Sequence, residues 1–190
     1  MDIRIVPLEA RHARIVPHLR QADVEEIRAM TGLEPRIAVA FSIANAAPGW
    51  AVEVDGRVEA ICGVGPAQAG ASCAARDTSA SVRVGPVQAG ASCAARDTSA
   101  SVRVGPVTEK LGRPWLVGTD EVAKHPVMFY RMSRRIVDAM RARYSQLENW
   151  VDARNGLSIR WLKWAGFYVE EPEKMGAEGQ LFHRFWMEVF

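Results

Sequence analysis

Four carboxylates fall at or near the ends of segments that read as strands: Glu53, Glu59, Asp120 and Glu121. A carboxylate so placed can take a proton from a nucleophile if a substrate reaches it. Acidic residues at strand ends are usually solvated, so the four are candidates for a general base and no more. Two histidines offer related chemistry. His183 shares a strand face with Leu181 and Phe185, the place of a histidine satisfied in or beside a core. His125 precedes Pro126, where the start of a helix accounts for it more readily than a ligand role does. Cys73 and Cys93 have no acid–base partner nearby in sequence, which argues against nucleophiles. The cysteines number three with Cys62, and neither CxxC nor a Cys/His ligand spacing occurs, so no metal site is expected. Arg131, Arg134, Arg135 and Arg141 lie off the apolar stripe of a helix. They form either a solvated face or a surface for a protein partner, where arginine is enriched.

The elements that must position these groups follow from periodicity. Residues 2–8 alternate around Ile3 and Ile5 as a short strand. Residues 9–31 read as helical, with Leu19, Val24, Ile27 and Met30 near one face and Pro17 as a kink or restart. Residues 34–46 form a second helix, with Pro35 at a tolerant early position. WAVEVDGRVEAICGV is a hairpin turning at Asp55-Gly56. A further strand runs from Trp115 to Gly118. Residues 126–144 form a helix whose stripe is Phe129, Met132, Ile136, Met140 and Tyr144. LENWVDARN is a strand, and Asn155 caps a short helix that Gly166 stops, with Leu157, Trp161 and Trp164 facing inward. The last strand, LFHRFWMEV, puts Leu181, His183, Phe185, Met187 and Val189 on one face. The fold class is mixed α/β (α+β): a largely antiparallel sheet flanked by helices.

A twenty-residue unit interrupts this order. Gln68 to Val87 reads QAGASCAARDTSASVRVGPV, and Gln88 to Val107 repeats it without change. Two copies are too few for a solenoid, and three valines per copy cannot supply a core. We read residues 68–107 as a tandem duplication inserted in a strand–strand loop of one 190-residue domain, forming a thin β-hairpin arm. The two copies contribute four Arg and two Asp, which is the whole formal charge of +2. The rest of the chain is neutral, which disfavours a general nucleic-acid binder. The N-terminus lacks the pattern of a signal peptide, and no apolar run is long enough to span a membrane.

The order of elements resembles the GCN5-related N-acetyltransferase (GNAT) fold. The most specific match is LENWVDARNGLSIRWLKWAGF, with the strand, Asn155, a short helix and Gly166-Phe167 in the places that family uses. The resemblance implies acetyl-CoA as cofactor for an active member, with Asn155 the residue it would place there. The family's glycine-rich pyrophosphate loop has its counterpart in GTDEVAKHPVMFYRMSRR. No glycine follows Gly118 there, Pro126 removes a donor, and Asp120 and Glu121 would repel phosphate. The tyrosine that protonates the departing thiolate would fall at Leu162, which is no acid. The pattern therefore implies neither catalytic residues nor a cofactor.

HLRQADVEEI, GRPWLVGTDEV, LENWVDARNGLSIRWLKWAGF and LFHRFWMEV together resemble the GNAT-like internal virion protein A family of short-tailed bacteriophages. That resemblance covers most of the chain except the repeat. It implies a virion or assembly protein, made in the host cytoplasm and placed in the particle. Its partners would be other phage structural proteins, at the portal or tail, bound as a homo-oligomer or in multiple copies. The alternatives are an acetyl-CoA-dependent N-acetyltransferase and a phage inhibitor of a host protein. Removing the repeat leaves a continuous hairpin and a neutral core. Deleting Gln88–Val107 is therefore expected to leave the fold intact, measured by circular dichroism and thermal melting. A large drop in melting temperature would show instead that the arm packs on the core or on a neighbour.

Overall fold

The computed structural model describes residues 2–66 and 109–189. The repeat, its expected β-arm, Cys73 and Cys93 lie outside the described residues. Seven strands form one sheet: β1 (Ile3–Pro7), β2 (Gly49–Val54), β3 (Arg57–Pro66), β4 (Glu109–Gly118), β5 (Tyr144–Asp152), β6 (Tyr168–Met175) and β7 (Gln180–Glu188). Their spatial order is β1-β2-β3-β4-β5-β7-β6, and every pairing is antiparallel except β4 with β5. The helices are α1 (Gln21–Thr31), α2 (Pro35–Ala44), the single turn α3 (Glu121–Lys124), α4 (Pro126–Arg141) and α5 (Gly156–Trp164). The expected mixed, largely antiparallel sheet flanked by helices is what the chain forms.

Both faces of the sheet are covered, and the strands show it. Along β3, Ala60, Cys62 and Val64 face the α4–α5 side, where Met132, Ile136, Met140, Leu147 and Phe185 complete the main core. Ile61 points the other way, to Ile15, Val39, Ala51 and Val117 beneath a 3-10 helix (Ala10–His18) and α2. Alternation that is apolar on both faces marks a sheet with two cores. The β2–β3 turn has positive φ at Asp55 and Gly56, 47° and 78°. Those angles match the twist of the strands they join.

Several sequence expectations need correction. The stretch 9–31 is two helices, the 3-10 helix containing Pro17 and then α1, with an extended break at Leu19 and Arg20. The most buried residues of α1 are Asp23 and Ala29, whereas Val24, Ile27 and Met30 are half-buried. Helix α4 ends at Arg141, and Tyr144 opens β5, where its hydroxyl donates to the Ala47 carbonyl at 2.6 Å. Leu157 and Trp164 are exposed rather than inward; Leu162 is the α5 residue sealed in the core. On β7 the fully buried side chain is Phe182, while Leu181 is exposed. A bulge in β6 between Val169 and Pro172 lies beside that change of row, at a proline that cannot donate to a ladder.

The feature that shapes the molecule is where β4 and β5 part. They pair only at Glu109↔Tyr144, Leu111↔Gln146 and Gly112↔Leu147. Beyond this, β4 stays with β3 as far as Gly118↔Ala60, and β5 stays with β7 as far as Asp152↔Phe182. Pro114 lies just past the last pair and brings no N–H. Gly112 is the pinch point: a Cβ there would meet Val64 Cγ1 at 2.6 Å and the Tyr144 ring at 2.7 Å. Gly112→Ala should therefore overpack the hinge of the wedge and destabilise by about 1–3 kcal/mol. Urea unfolding will measure this; an unchanged midpoint would show that β4 and β5 can relax apart at no cost.

Candidate functional site

Arg20 sits at the break before α1 and is 7% exposed. Its guanidinium donates to both carboxylate oxygens of Asp23, at 3.1 and 2.5 Å. A buried arginine demands such a two-pronged partner. Its backbone N–H donates to the Gly118 carbonyl at 2.9 Å, and Asp23 accepts from the Gly118 N–H at 2.9 Å. The start of α1 is thus bolted to the last residue of β4.

One turn further along α1, Glu26 faces the start of α5. Asn155 Nδ2 donates to Glu26 Oε2 at 2.8 Å, while Asn155 Oδ1 accepts from the Ser158 N–H at 3.3 Å. Asn155 is the expected cap of α5, and it also ties α5 to α1. Buried Asp152 pairs with Arg154 at 2.6 Å. Burial pushes Asp152 up, but the Arg154 guanidinium and backbone N–H outweigh it and hold the carboxyl below its ordinary value. Among the described residues Glu26 has no cation to do this. Burial, then the charges of Asp23 and Asp152, outweigh the Asn155 hydrogen bond and raise its pKa to about 7.

Two spaces open beside this polar cluster. A cavity of about 200 Å³ runs through the wedge, with Glu26 and Asn149 among apolar walls that include Trp115, Trp150, Ile136 and Met140. Asn149 Nδ2 donates to the Pro114 carbonyl at 2.9 Å, bridging the strands where their ladder has ended. A groove of about 260 Å³ lies between the end of β4, the α3 turn and the edges of α4 and α5. Among the described residues, no group of His, Cys, Asp and Glu is placed to hold a metal ion, and no helix is long and apolar enough to cross a membrane.

No family model and no curated protein sequence matches the chain. Solved structures do. A GNAT-family acetyltransferase from Streptococcus pneumoniae matches with a TM-score of 0.58 at 12% identity, covering 100% of both chains. A putative acetyltransferase from Salmonella typhimurium, yncA, solved with its cofactor acetyl-CoA, gives 0.57 at 12%, covering 100% of this chain and 95% of its own. An N-acetyltransferase from Staphylococcus aureus Mu50 gives 0.57 at 14%, with 100% of both chains covered. The chain has a GNAT-like fold. At these identities the likeness is one of architecture, and activity must be argued from the residues.

Coenzyme A carries a pyrophosphate, which needs free N–H donors at the turn after β4. In this chain five of those donors are engaged. Gly118 N–H donates to Asp23, Thr119 N–H to the Glu59 carbonyl at 2.9 Å, and Glu121 N–H to Thr119 Oγ1 at 3.2 Å. The Val122 and Ala123 N–H groups close the α3 turn on Thr119 and Asp120, and Pro126 has none. The amides of Gly118, Thr119, Glu121, Val122 and Ala123 are therefore not free for a pyrophosphate. The remaining sequence candidates are scattered. Glu59 accepts from the Thr119 hydroxyl. Glu53 on β2 stands opposite Arg4 on β1, and Asp120 is exposed. Lys124 and His125 contact Glu121 at 2.7 and 3.3 Å, and it titrates low, chiefly through the Lys124 hydrogen bond. His183 is half-buried with Nδ1 2.7 Å from the Glu170 carbonyl, a satisfied histidine. Burial pushes the Cys62 thiol up to about 12, so it is inert. Arg131, Arg134, Arg135 and Arg141 are all exposed on α4, and Arg141 reaches Asp138 at 3.8 Å.

Sequence reasoning missed Arg20, Asp23 and Glu26. Their spacing of three was a signal, since residues three apart share a helix face. The Glu26 carboxyl makes a signed prediction. Below about pH 4.5 it is protonated folded and unfolded; from there to about 7 only the unfolded chain ionises, so stability falls with rising pH. At about 1.4 kcal/mol per unit the loss approaches about 3 kcal/mol. Glu26→Gln keeps an acceptor for Asn155 and removes the ionisation. It should match the parent at pH 4.5 and exceed its stability by up to about 3 kcal/mol at pH 8 in urea titrations. A variant equally stable, or less stable, at pH 8 would refute the protonated carboxyl.

Proposed function

We propose that this chain is a bacteriophage virion structural or assembly protein that binds other virion proteins on a GNAT-like scaffold and transfers no acyl group. The observation that carries the absence of acyl transfer is the engagement of the amides of Gly118, Thr119, Glu121, Val122 and Ala123 by Asp23, Glu59 and the α3 turn. The residue at the place of the thiolate's acid supports the same reading. Leu162 is buried and carries no proton to give. The phage assignment rests on the four sequence stretches that resemble the internal virion protein A family. Its partners on this reading are portal or tail proteins, met by multiple copies of the chain.

One observation favours a second reading. A carboxyl that titrates near neutrality beside an apolar cavity, as Glu26 does, is what an acyltransferase with an unusual donor site would need as a base. Calorimetry with coenzyme A separates the two. No heat of binding at millimolar ligand is expected; micromolar affinity would restore the enzyme reading. Mass spectrometry of purified particles tests the location, and the chain should be found in virions or assembly intermediates. Its absence from both would sink the structural role and favour an inhibitor of a host protein.

A further inference from the structure

The groove beside the wedge is built by two helix edges. Helix α4 supplies Pro126, Phe129 and Tyr130, and α5 supplies Leu157, Trp161 and Trp164. The Tyr130 and Trp164 rings meet edge-on with centroids 6.1 Å apart, yet Trp164 is 61% exposed. Val127, on the same side of α4, is 66% exposed. Exposed apolar residues scattered singly need no explanation, but several rimming one groove do.

The charge on the α4 and α5 walls of the groove is one-sided, while the carboxylates Asp120 and Glu121 stand at its α3 end. Arg160 lines it directly. Arg131 stands one turn after Val127, Arg134 one turn after Tyr130, and Lys163 next to Trp164. The only carboxylate on either helix is Asp138, and it faces Arg141. Among the described residues, Arg131, Arg134, Arg135, Arg160 and Lys163 have no carboxylate within ion-pair distance. At the far end of the groove Glu121 is already held by Lys124 and His125. Arg20 lines the floor, but Asp23 satisfies it. Elsewhere Arg28 pairs with Glu34 and Arg184 with Glu148 and Glu170, whereas among the described residues Arg14, Arg36, Arg57 and Arg113 stand on separate elements without a carboxylate partner, so what marks the groove is the clustering of its cations beside exposed aromatic rings. Tyrosine, tryptophan and arginine around a concave apolar centre are the residue types that dominate binding energy at protein interfaces. Arg160 in the groove and the exposed arginines of α4 beside it, which meet no carboxylate among the described residues, select a partner of opposite charge.

We propose that the α4–α5 groove docks an acidic segment of a partner protein. A large apolar side chain of the segment seats against Tyr130 and Trp164, and its carboxylates meet Arg131, Arg134 and Arg160. This rests on the reading of the chain as a binding protein and names the chemistry of its partner. A free polyanion would use the cations but not the aromatic floor, so the two contributions can be separated.

The full chain can be titrated with a random copolymer of glutamate and tyrosine, rich in glutamate, following tryptophan emission. Saturable binding is expected, weakening as salt is raised. Trp164→Ala should weaken it by about tenfold or more, the scale of an aromatic hot spot. Arg131→Glu combined with Arg134→Glu and Arg160→Glu should abolish it, while Arg36→Glu with Arg57→Glu, away from the groove, should not. All the substituted side chains are exposed, so melting curves will show that the variants fold. Three results would overturn the proposal: no saturable binding, binding of polyglutamate as tight as the copolymer with Trp164→Ala silent, or tighter binding of single-stranded DNA through the same arginines. Coenzyme A serves as the competitor that keeps the two readings apart. If it displaces the copolymer, the groove is confirmed as the docking site while the reading without acyl transfer falls. If neither ligand binds, the docking surface alone is lost.

Discussion

The parting of β4 and β5 after Gly112 and Leu147 is the constraint on which the molecule depends. A sheet that opens between two central strands leaves backbone polar groups without a ladder, and these must find other partners. Pro114 lessens the problem at one position because it has no N–H, and its carbonyl is answered by Asn149 across the gap. Each strand keeps its outer neighbour, so the wedge is held open from both sides by continuous antiparallel pairing. The cavity and the groove both border this opening. Chemistry or binding at the wedge is therefore a consequence of topology before it is a matter of particular side chains.

What fills the wedge in this chain is polar and internal. Arg20, Asp23, Glu26, Asn155, Asp152 and Arg154 connect α1, the end of β4 and the start of α5 by hydrogen bonds at or below 3.3 Å. Buried ion pairs of this kind add little net stability, because desolvation offsets much of the attraction. Their value is directional: Asp23 can satisfy Arg20 and the Gly118 N–H together only when α1 and β4 meet in one register. The cluster thus fixes the relative placement of three elements that apolar packing alone would leave free to slide.

The elements were legible where periodicity or turn chemistry was strong. The Asp55-Gly56 hairpin, the Asn155 cap with its Gly166 stop and the apolar stripe of α4 all follow from residue type and spacing. Errors came where tertiary partners decide. Tyr144 extends the α4 pattern by four residues, yet it is drawn into β5, where its hydroxyl finds the Ala47 carbonyl. Trp164 looks like a core residue by composition, but on α5 the inward position belongs to Leu162. The polar cluster of Arg20, Asp23 and Glu26 was missed altogether, because charge in a helix is ordinarily solvated. Burial of Asp23 and Glu26 depends on Gly118, Asp152 and Asn155, which stand far away in sequence, and no local pattern reports them. The direction in which GTDEVAKHPV departs from a phosphate loop was readable; the partners of its amides were not.

Those partners explain why the departure is stable. A turn that follows a strand and enters a helix presents N–H groups and a local positive potential, and it seeks an anion. Here the chain supplies its own: Asp23 reaches the Gly118 N–H from α1, and the Thr119 hydroxyl turns back to cap the Glu121 N–H. An external phosphate would have to displace a carboxylate that also neutralises buried Arg20, leaving that cation unpaired in a low-dielectric interior. Uncompensated burial of a charge is severely destabilising. The same arrangement that orders α1 against β4 therefore takes the Gly118 amide out of use as an anion donor, while on the α4–α5 rim Trp164 is exposed and, among the described residues, Arg131, Arg134 and Arg160 meet no carboxylate.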